Sequence, residues 1–398
     1  MVGSPWAKRW QEDFPCVFSS EHTKENCKYL ISLLGESWIE KRSHRQGGTH
    51  PLISMWLTRG SGSYVRLNAL AEDCKLLDKK PGFEIALGNL RRTPQYHSSL
   101  HVLHSAALFE RSRPGSVLEI EPSTEDLSHD FTVADGSVEI FVEAKYLQNS
   151  AKAQGFGAWS SSCSESAGTI LPGRDHLPQV FVVVKDFDFR PSSDALLEQI
   201  SLAIEASADA FAAIRRRGHN IFVEPAPEVE GHFSKYRSFH FLCPKAKSED
   251  DRVLERVRSA SKQLSSSNQM KRTSLLILGL TEMQSPHEVA ALISRGFARK
   301  KYQNISNVML LRCGDDCRPP KAGFLDLLSM FSNPNAHRPI NGPFHMRPIS
   351  GCVDLFSNSQ DIGGVPAYRY SVTSAKVRKL GGRIDMPNIM RLTPEMLA

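Results

Sequence analysis

One short segment, D-F-T-V-A-D-G-S-V-E-I-F-V-E-A-K at residues 130–145, constrains the fold of this chain more than any other feature. Two runs of strand-forming residues flank Asp135-Gly136, a dipeptide that suits a type I′ hairpin turn because both central positions need a positive φ. With this dipeptide as the loop, the residues that face each other across the hairpin are Ala134 with Ser137, Thr132 with Glu139, and Asp130 with Phe141. Facing residues point to the same side of a sheet, so this register predicts which side chains lie together.

The alternation of side chains along the hairpin places three charged groups on one side of the sheet. Asp130, Glu143 and Lys145 share that side, and the two carboxylates are expected diagonal to each other at roughly 7–8 Å. The opposite side carries an apolar set suited to a core: Val138, Ile140, Val142 and Ala144. Two carboxylates at this spacing can bind one divalent cation, and a lysine beside them can hold an anionic nucleophile or transition state.

This arrangement resembles the PD-(D/E)XK nuclease superfamily, in which an Asp opens one strand and Glu-x-Lys lies near the end of the next. The matching residues are Ser128-His129-Asp130 and, thirteen residues on, Glu143-Ala144-Lys145, with His129 in the position of the family's proline. The resemblance covers roughly residues 95–225 and includes the order helix, strand (Val117–Glu121), strand, strand. It implies a restriction-endonuclease-like mixed sheet flanked by helices.

The same resemblance implies a metal centre and roles for its residues. A Mg²⁺ or Mn²⁺ ion would be held by the carboxylates of Asp130 and Glu143, by the backbone carbonyl of Ala144 and by water. The metal would lower the pKa of a bound water and neutralise the scissile phosphate. Lys145 would orient or deprotonate the attacking water and stabilise the developing charge.

Members of that family often carry a glutamate on the helix before the sheet, which implies a role for Glu110. Residues 97–113 have helical spacing, and the apolar stripe of this helix is formed by Leu100, Leu103, Ala106 and Ala107. At roughly 100° per residue Glu110 falls within that stripe. A carboxylate on a core-facing stripe is costly unless it is paired or binds a metal. We therefore predict that Glu110 points toward the cluster, where it holds a second metal or tunes the first.

The predicted function is metal-dependent hydrolysis of phosphodiester bonds in nucleic acid, with DNA favoured over RNA as the substrate. The main alternative is a catalytically inactive protein on the same fold, which would bind a protein partner or form a homo-oligomer through its N-terminal helices or C-terminal tail. A weaker alternative is a nucleotidyl- or glycosyltransferase that binds its metal through Asp186 and Asp188, which follow the apolar strand Val180–Val184 and share a face.

Two further patterns allow binding but do not demand it. His97, His101 and His104 lie on one helical face at a spacing that can bind zinc, although contact with phosphate or plain solvation is the favoured explanation. Basic clusters at 215–217, 295–301 and 376–383 can contact phosphates with salt-dependent affinity.

Composition sets limits on the partners and the compartment. The formal net charge of +6 and the pI near 8.8 suit a polyanionic partner such as nucleic acid. No apolar run approaches the ~20 residues that a membrane span needs, and residues 1–18 lack the apolar region of a secretory signal. The eight cysteines are scattered, with one C-x₃-C pair at Cys313 and Cys317, which favours free thiols. We expect a cytoplasmic or nuclear protein that is not secreted and does not bind membranes.

Alternating strand and helix patterns predict an α/β fold in three parts. These are an N-terminal helical region at 1–93, the nuclease-like domain at 94–318 and an irregular C-terminal extension at 319–398. Residues 148–178 are rich in Ser, Gly and Ala without periodicity, which predicts a flap beside the site or a dispensable insertion. A single long helix is expected at 192–217.

Overall fold

The computed structural model of the protein describes most of the chain. The described residues are 21–43, 50–57, 61–122, 129–168, 179–185, 188, 190–206, 212–224, 239–242, 247–265, 272–281, 284, 286–316, 323–339, 353–354, 359–362 and 365–373. They belong to two compact units. Unit 1 comprises Met1–Leu147 and Arg252–Gly382, and unit 2 comprises Gln148–Asp251 and Arg383–Ala398.

In the described part of the chain a run of helices comes first, and strands and helices follow in mixed order. The helices are α1 (Glu21–Leu34), α2 (Glu36–Ser43), α3 (Pro51–Leu57), α4 (Ser61–Leu77), α5 (Phe83–Leu90), α6 (Tyr96–Ser112), α7 (Ala151–Gly168), α8 (Ser193–Ala206), α9 (Lys247–Gln263) and α10 (Pro286–Ala298). The strands are β1 (Val117–Ile120), β2 (Phe131–Asp135), β3 (Val138–Tyr146), β4 (Gln179–Val184), β5 (Ala212–Arg215), β6 (His219–Glu224), β7 (Phe239–Leu242), β8 (Thr273–Leu280), β9 (Asn307–Asp316), β10 (Gly323–Ser332), β11 (Val353–Asp354), β12 (Ser359–Ile362) and β13 (Val365–Thr373).

The large sheet of unit 1 is mixed. Its strand order is β1-β2-β3-β8-β9-β10-β13-β11, and β12 also pairs with β13. β3 runs parallel to β8 and β8 parallel to β9, while the other pairs are antiparallel. The prediction of an α/β fold with a mixed sheet flanked by helices is confirmed.

Each face of this sheet buries its own apolar core. On one face Ile140, Val142 and Ala144 of β3 pack in a core that includes residues from α1 to α6. On the other face Phe141 of β3 shares a core with Leu276 and Leu278 of β8 and with apolar residues of α9 and α10. Because β3 is covered on both sides, any charged side chain in its middle must be desolvated.

The hairpin of β2 and β3 has a different turn from the one predicted. Asp135 pairs with Val138 and Thr132 with Phe141, so that Gly136 and Ser137 form the loop. The observed loop lies one position later in the chain than the predicted one. Gly136, with a φ of 65°, supplies the left-handed residue that this loop needs. The shift in pairing is two residues, and since side chains alternate with a period of two, the predicted shared face of the charged residues is unchanged.

Unit 2 has a four-stranded sheet with the order β5-β6-β4-β7. β4 pairs with β7 in parallel and with β6 antiparallel, and β5 is an edge strand on β6. One face of the sheet packs on α7 and α8 through a core that contains Phe156, Ile200, Val182 and Ile221. The unit therefore has a core of its own.

Two predictions about this part of the chain were wrong. Residues 151–168, expected to lack structure, form α7, because Ala153, Phe156 and Cys163 recur at helical spacing and are buried in the core of unit 2. The helix expected at 192–217 ends at Ala206, and Ala212–Arg215 is the strand β5. Its apolar residues suit a strand that pairs with β6 as well as they suit a helix.

The predicted division into three parts does not coincide with the two units. The N-terminal helices share one core with α6 and the sheet, so no boundary falls at 93. The region from 319 onward was expected to be irregular, but its described residues include β10 and β13, which extend the large sheet. Frequent proline and glycine in this region concealed the strands from a reading of local pattern.

Gly82 fixes the approach of α5 to the end of β1. It has a φ of 79°, and a Cβ at this position would lie 1.6 Å from the carbonyl oxygen of Ile120. The backbone N–H of Ile120 donates to the carbonyl of Pro81 at 2.9 Å. A side chain at position 82 would therefore separate α5 from β1.

Gly82→Ala is expected to lower the free energy of unfolding by about 2–5 kcal/mol, because it adds left-handed strain to a steric clash. Urea denaturation of unit 1 would measure this. Gly88→Ala is the matched control, since nothing lies within 4 Å of a Cβ there and α5 continues through it; it should be neutral or stabilise by about 0.5–1 kcal/mol. Equal midpoints for the two variants would refute the contact.

Candidate active site

Asp130 is held at the entrance to β2 by its own backbone. Its N–H donates to the Val142 carbonyl at 3.0 Å, and its carbonyl accepts from the Glu121 N–H at 2.7 Å. The side chain is held too, because Oδ2 accepts a hydrogen bond from the backbone N–H of Ala144 at 2.6 Å. The carboxylate of Asp130 is thus fixed against β3 beside Glu143.

Glu143 lies in the middle of β3 and is fully buried, with 0% of its surface exposed. Its strand neighbour in β8 is Leu276, which belongs to the apolar core beneath α9 and α10. Lys145, two residues on and on the same face, forms an ion pair with Oε1. Among the described residues Oε2 has no hydrogen-bond partner. One ion pair does not offset the free-energy cost of removing a charged carboxylate from water at this position.

The electrostatics of the cluster follow from this burial. Burial, with the negative charge of Asp130, raises the pKa of Glu143 to about 8, although Lys145 opposes the rise. Burial also raises the pKa of Asp130, against the opposing effects of Lys145 and the Ala144 N–H. Two carboxyl groups with raised pKa values that share one lysine form a site where additional positive charge would be stabilising.

Glu121 is a member of this cluster that sequence reasoning missed. It follows β1, has a φ of 47°, and is joined to Asp130 through its backbone N–H. Its pKa is raised by burial and then by the charge of Asp130, while its side chain is hydrogen-bonded to Asn89 and lies near Lys145. No local motif marks it, since only the pairing of β1 with β2 brings position 121 to the cluster.

Glu110 is engaged elsewhere than predicted. One carboxylate oxygen accepts from the Gly115 N–H at 2.7 Å, and the other accepts from the Val117 N–H at 3.0 Å and pairs with Lys80 Nζ at 2.9 Å. Burial alone would raise the pKa of Glu110, but these hydrogen bonds hold it below its ordinary value. Glu110 is buried, as its place on the apolar stripe suggested, and there it joins the end of α6 to the start of β1.

Glu110→Ala is expected to lower the free energy of unfolding by about 2–4 kcal/mol, because it leaves the buried N–H of Val117 without its acceptor and removes the ion-pair partner of Lys80. Chemical denaturation would measure the loss, with Glu139→Ala, an exposed glutamate of β3, as the control. If Glu110 served a metal instead, the variant would keep its stability and lose divalent-ion binding.

Comparison of this chain with protein families and with curated proteins finds no match. The geometry of the cluster must therefore support any functional argument.

A divalent cation bound by the carboxylates of this cluster would need further ligands, such as water and substrate phosphate, to complete its coordination shell. Among the described residues no group of three or more His, Cys, Asp or Glu side chains is arranged to hold a metal ion. Asp130 and Glu143 supply two carboxylates, and Oε2 of Glu143 is buried and unpartnered. Mg²⁺ commonly binds through one or two carboxylates and completes its shell with water and substrate phosphate. The residues present fit this kind of site.

His129, in the position of the family's proline, has a structural explanation. Its ring stacks on Phe141 with the ring centroids 4.2 Å apart, and Nε2 is 2.7 Å from the Thr132 hydroxyl. The Arg272 guanidinium lies over the same Phe141 ring at 4.6 Å. Burial lowers the pKa of His129 to about 4, and Arg272 adds to the effect. The stack fixes the backbone next to Asp130 without a proline.

The three histidines of α6 have separate surroundings. His104 Nδ1 lies 2.7 Å from Asp73 Oδ2, and His97 stacks on Tyr146 at 5.7 Å. His101 is buried against Gly279 and hydrogen-bonded to the backbone of Ile277, and burial lowers its pKa to about 3. They do not converge on one point as a zinc site requires.

The transferase alternative rests on residues that the structure describes only in part. Asp186 lies outside the described residues. Asp188 is exposed and forms an ion pair with Lys152 of α7. A solvated ion pair explains Asp188 without a metal.

The described cysteines and helices bear on two other predictions. Cys27, Cys74 and Cys163 are buried free thiols, as expected. Within the ranges described, no helix is both long and apolar enough to cross a bilayer.

The pKa of Glu143 predicts how stability depends on pH in the absence of metal. Since the folded-state value of about 8 lies above the ordinary 4.5, the folded protein keeps a proton that the unfolded chain releases, so stability falls as pH rises toward 8. Histidines with lowered pKa values, such as His101, act in the opposite direction below about 6.5. The effect of Glu143 on stability should therefore be clearest between pH 6.5 and 8.

We expect wild-type protein in EDTA to lose about 2 kcal/mol of unfolding free energy across this window. Glu143→Gln should remove that slope, whereas Glu139→Gln, at an exposed position of the same strand, should keep it. Urea titrations at several pH values would measure it. A slope that survives in Glu143→Gln would assign the proton to another group.

Proposed function

We propose that the protein is a metal-dependent nuclease with a restriction-endonuclease-like fold. It would hydrolyse phosphodiester bonds of nucleic acid, with DNA favoured over RNA as the substrate. The observation that carries this proposal is the buried, incompletely compensated Glu143 beside Asp130 and Lys145. Stability alone favours apolar residues at such a place, and a desolvated cluster of this kind indicates a functional site.

The order of the elements supports the fold part of the proposal. Helix α6 is followed by the antiparallel strands β1, β2 and β3, and β8 then pairs with β3 in parallel. The part of this order that the resemblance to the PD-(D/E)XK superfamily implies is helix, strand, strand, strand, from α6 to β3. The main segment of unit 2, Gln148–Asp251, lies in the chain between β3 and β8, so the strands of the large sheet are separated by an insertion.

The chain's own residues would divide the work of hydrolysis among them. Asp130 and Glu143 would hold Mg²⁺ or Mn²⁺, with the Ala144 carbonyl as a further oxygen ligand. When bound, the cation supplies neutralisation of phosphate charge and a more acidic water. Asp130 keeps its position through the Ala144 N–H, so its second oxygen is oriented without a conformational search.

Lys145 would act on the reacting phosphate. Its side chain is 18% exposed, whereas that of its partner Glu143 is fully buried. As the water oxygen bonds to phosphorus and the bond to the leaving sugar oxygen breaks, Lys145 would orient the water and stabilise the added negative charge. Glu121 adds negative potential beside Asp130 and would strengthen cation binding without being a direct ligand.

A second candidate function is favoured by one observation. The ion pair between Lys145 and Glu143 already compensates part of the buried charge. A protein that has kept the fold but lost hydrolysis could keep this pair for stability alone, and would then bind nucleic acid or a protein partner without cleaving anything.

One experiment separates the two candidates. Purified protein is incubated with supercoiled plasmid, linear DNA and RNA in Mg²⁺, Mn²⁺ and EDTA. The nuclease predicts cleavage with either metal and none in EDTA. Binding without cleavage in every combination would reject the nuclease in favour of the inactive binding protein.

A further inference from the structure

The β5–β6 hairpin of unit 2 carries a concentrated positive charge at its tip. Arg215 ends β5, and Arg216, Arg217 and Gly218 connect it to β6 at His219. All three arginines are exposed. Lys185, also exposed, lies beside the connection because its N–H donates to the Gly218 carbonyl at 3.0 Å.

The backbone of this tip is held in place. The N–H of Arg216 donates to the His219 carbonyl at 3.0 Å, and Arg215 pairs with Asn220. The base of the hairpin is anchored to α8, since His219 Nε2 lies 2.8 Å from Gln199 Oε1. The three arginines therefore lie on a turn with a fixed backbone, and Lys185 lies beside it, at one end of the unit 2 sheet.

Among the described residues the charge at this tip has no ion-pair partner. No ion pair joins Lys185 or the three arginines to an acidic side chain in the part of the chain that the structure describes. Asp188, three residues after Lys185, is paired with Lys152. Four like charges at one end of a sheet repel each other, and an external polyanion would relieve this.

We propose that the exposed basic tip, formed by Lys185 and Arg215–Arg217, binds the phosphate backbone of nucleic acid; the choice of nucleic acid as the polyanion rests on the proposed function. Guanidinium groups bind phosphate through two parallel hydrogen bonds, which suits three arginines in succession. A two-stranded hairpin is also narrow enough to approach the grooves of a duplex. None of the four tip residues is apolar, so a membrane surface, which needs apolar side chains to enter it, fits the tip less well.

The test compares two variants of equal charge. The tip variant is Arg215→Gln, Arg216→Gln and Arg217→Gln, and the control is Arg299→Gln, Lys300→Gln and Lys301→Gln, an exposed basic triplet after α10. Binding of labelled duplex DNA, and of RNA of the same sequence, is measured in EDTA between about 50 and 200 mM salt. Circular dichroism melts check that both variants fold.

The tip variant should bind at least about tenfold more weakly at the upper salt concentration, with the slope of log affinity against log salt reduced by about three. The control, which removes the same charge from the basic cluster at 295–301, should lose clearly less affinity than the tip variant does. Equal losses in the two variants, no loss in the tip variant, or no binding by the wild type would each overturn the inference. So would a tip variant that keeps nucleic acid binding but loses binding to phosphatidylserine vesicles.

The same proteins separate this inference from the proposed nuclease. Wild type that binds through the tip but cleaves nothing in Mn²⁺ would reject the nuclease and keep the inference. Wild type that cleaves in Mn²⁺, with a tip variant that binds normally in EDTA, would reject the inference and keep the nuclease.

Discussion

Lys145→Ala is expected to lower the rate of Mn²⁺-dependent cleavage by about 10²–10⁴-fold, with nucleic acid binding in EDTA unchanged. The lysine acts on charge that develops only during attack, so its loss should appear in turnover and not in affinity. The variant should fold, because the raised pKa of Glu143 lets that group take up a proton when its partner is removed. Single-turnover rates with saturating enzyme measure the effect.

A matched lysine variant guards against a general effect of charge removal. Lys152→Ala removes an exposed lysine that is also in an ion pair, with Asp188 of unit 2. It should cleave at the wild-type rate. If Lys145→Ala also cleaves at that rate, the activity lies elsewhere in the chain or in a contaminant.

Asp130→Asn is expected to lower cleavage by a comparable factor, about 10³-fold, and to raise the Mn²⁺ concentration required for half-maximal rate. The amide oxygen can still accept the hydrogen bond from the Ala144 N–H, so the change removes charge with little change of shape. Stability should be unchanged or higher, because a like charge beside Glu143 is lost. Titration of the rate with Mn²⁺ measures both effects.

The control for this variant lies on the same strand. Asp135→Asn changes the last residue of β2, at the far end of the hairpin from the cluster, and it removes one negative charge with little change of shape, as Asp130→Asn does. It should leave the Mn²⁺ dependence unaltered. Asp130→Asn with a normal rate and a normal Mn²⁺ requirement would remove Asp130 from the set of metal ligands.

The shared face of the charged residues could be predicted because it depends only on parity. The predicted turn was shifted, yet a shift of two residues keeps Asp130 on the face of Glu143 and Lys145. The shift also changes the neighbour of Asp130. Because Phe131 pairs with Val142, the preceding residue, Asp130, comes opposite Glu143 and not diagonal to it. The choice between Asp135-Gly136 and Gly136-Ser137 as the loop could not be made locally, since both place a glycine where a positive φ is needed.

Contacts between distant segments could not be predicted. Glu121 lies in the cluster because β1 pairs with β2. Glu110 lies outside it and pairs with Lys80, which is thirty residues earlier in the chain. The helical pattern placed Glu110 correctly inside the core but could not tell which buried partner it meets. The composition of residues 148–178 likewise concealed α7, whose stability depends on packing in unit 2.

The most direct measurement is the location of Mn²⁺ by anomalous diffraction from crystals soaked in the ion. The account predicts one strong peak within coordination distance, about 2.0–2.4 Å, of carboxylate oxygens of both Asp130 and Glu143. Crystals of Asp130→Asn, soaked in the same way, should show it weakened or absent. A Mn²⁺ peak at other residues, or none at these two carboxylates in well-ordered wild-type crystals, would contradict the account.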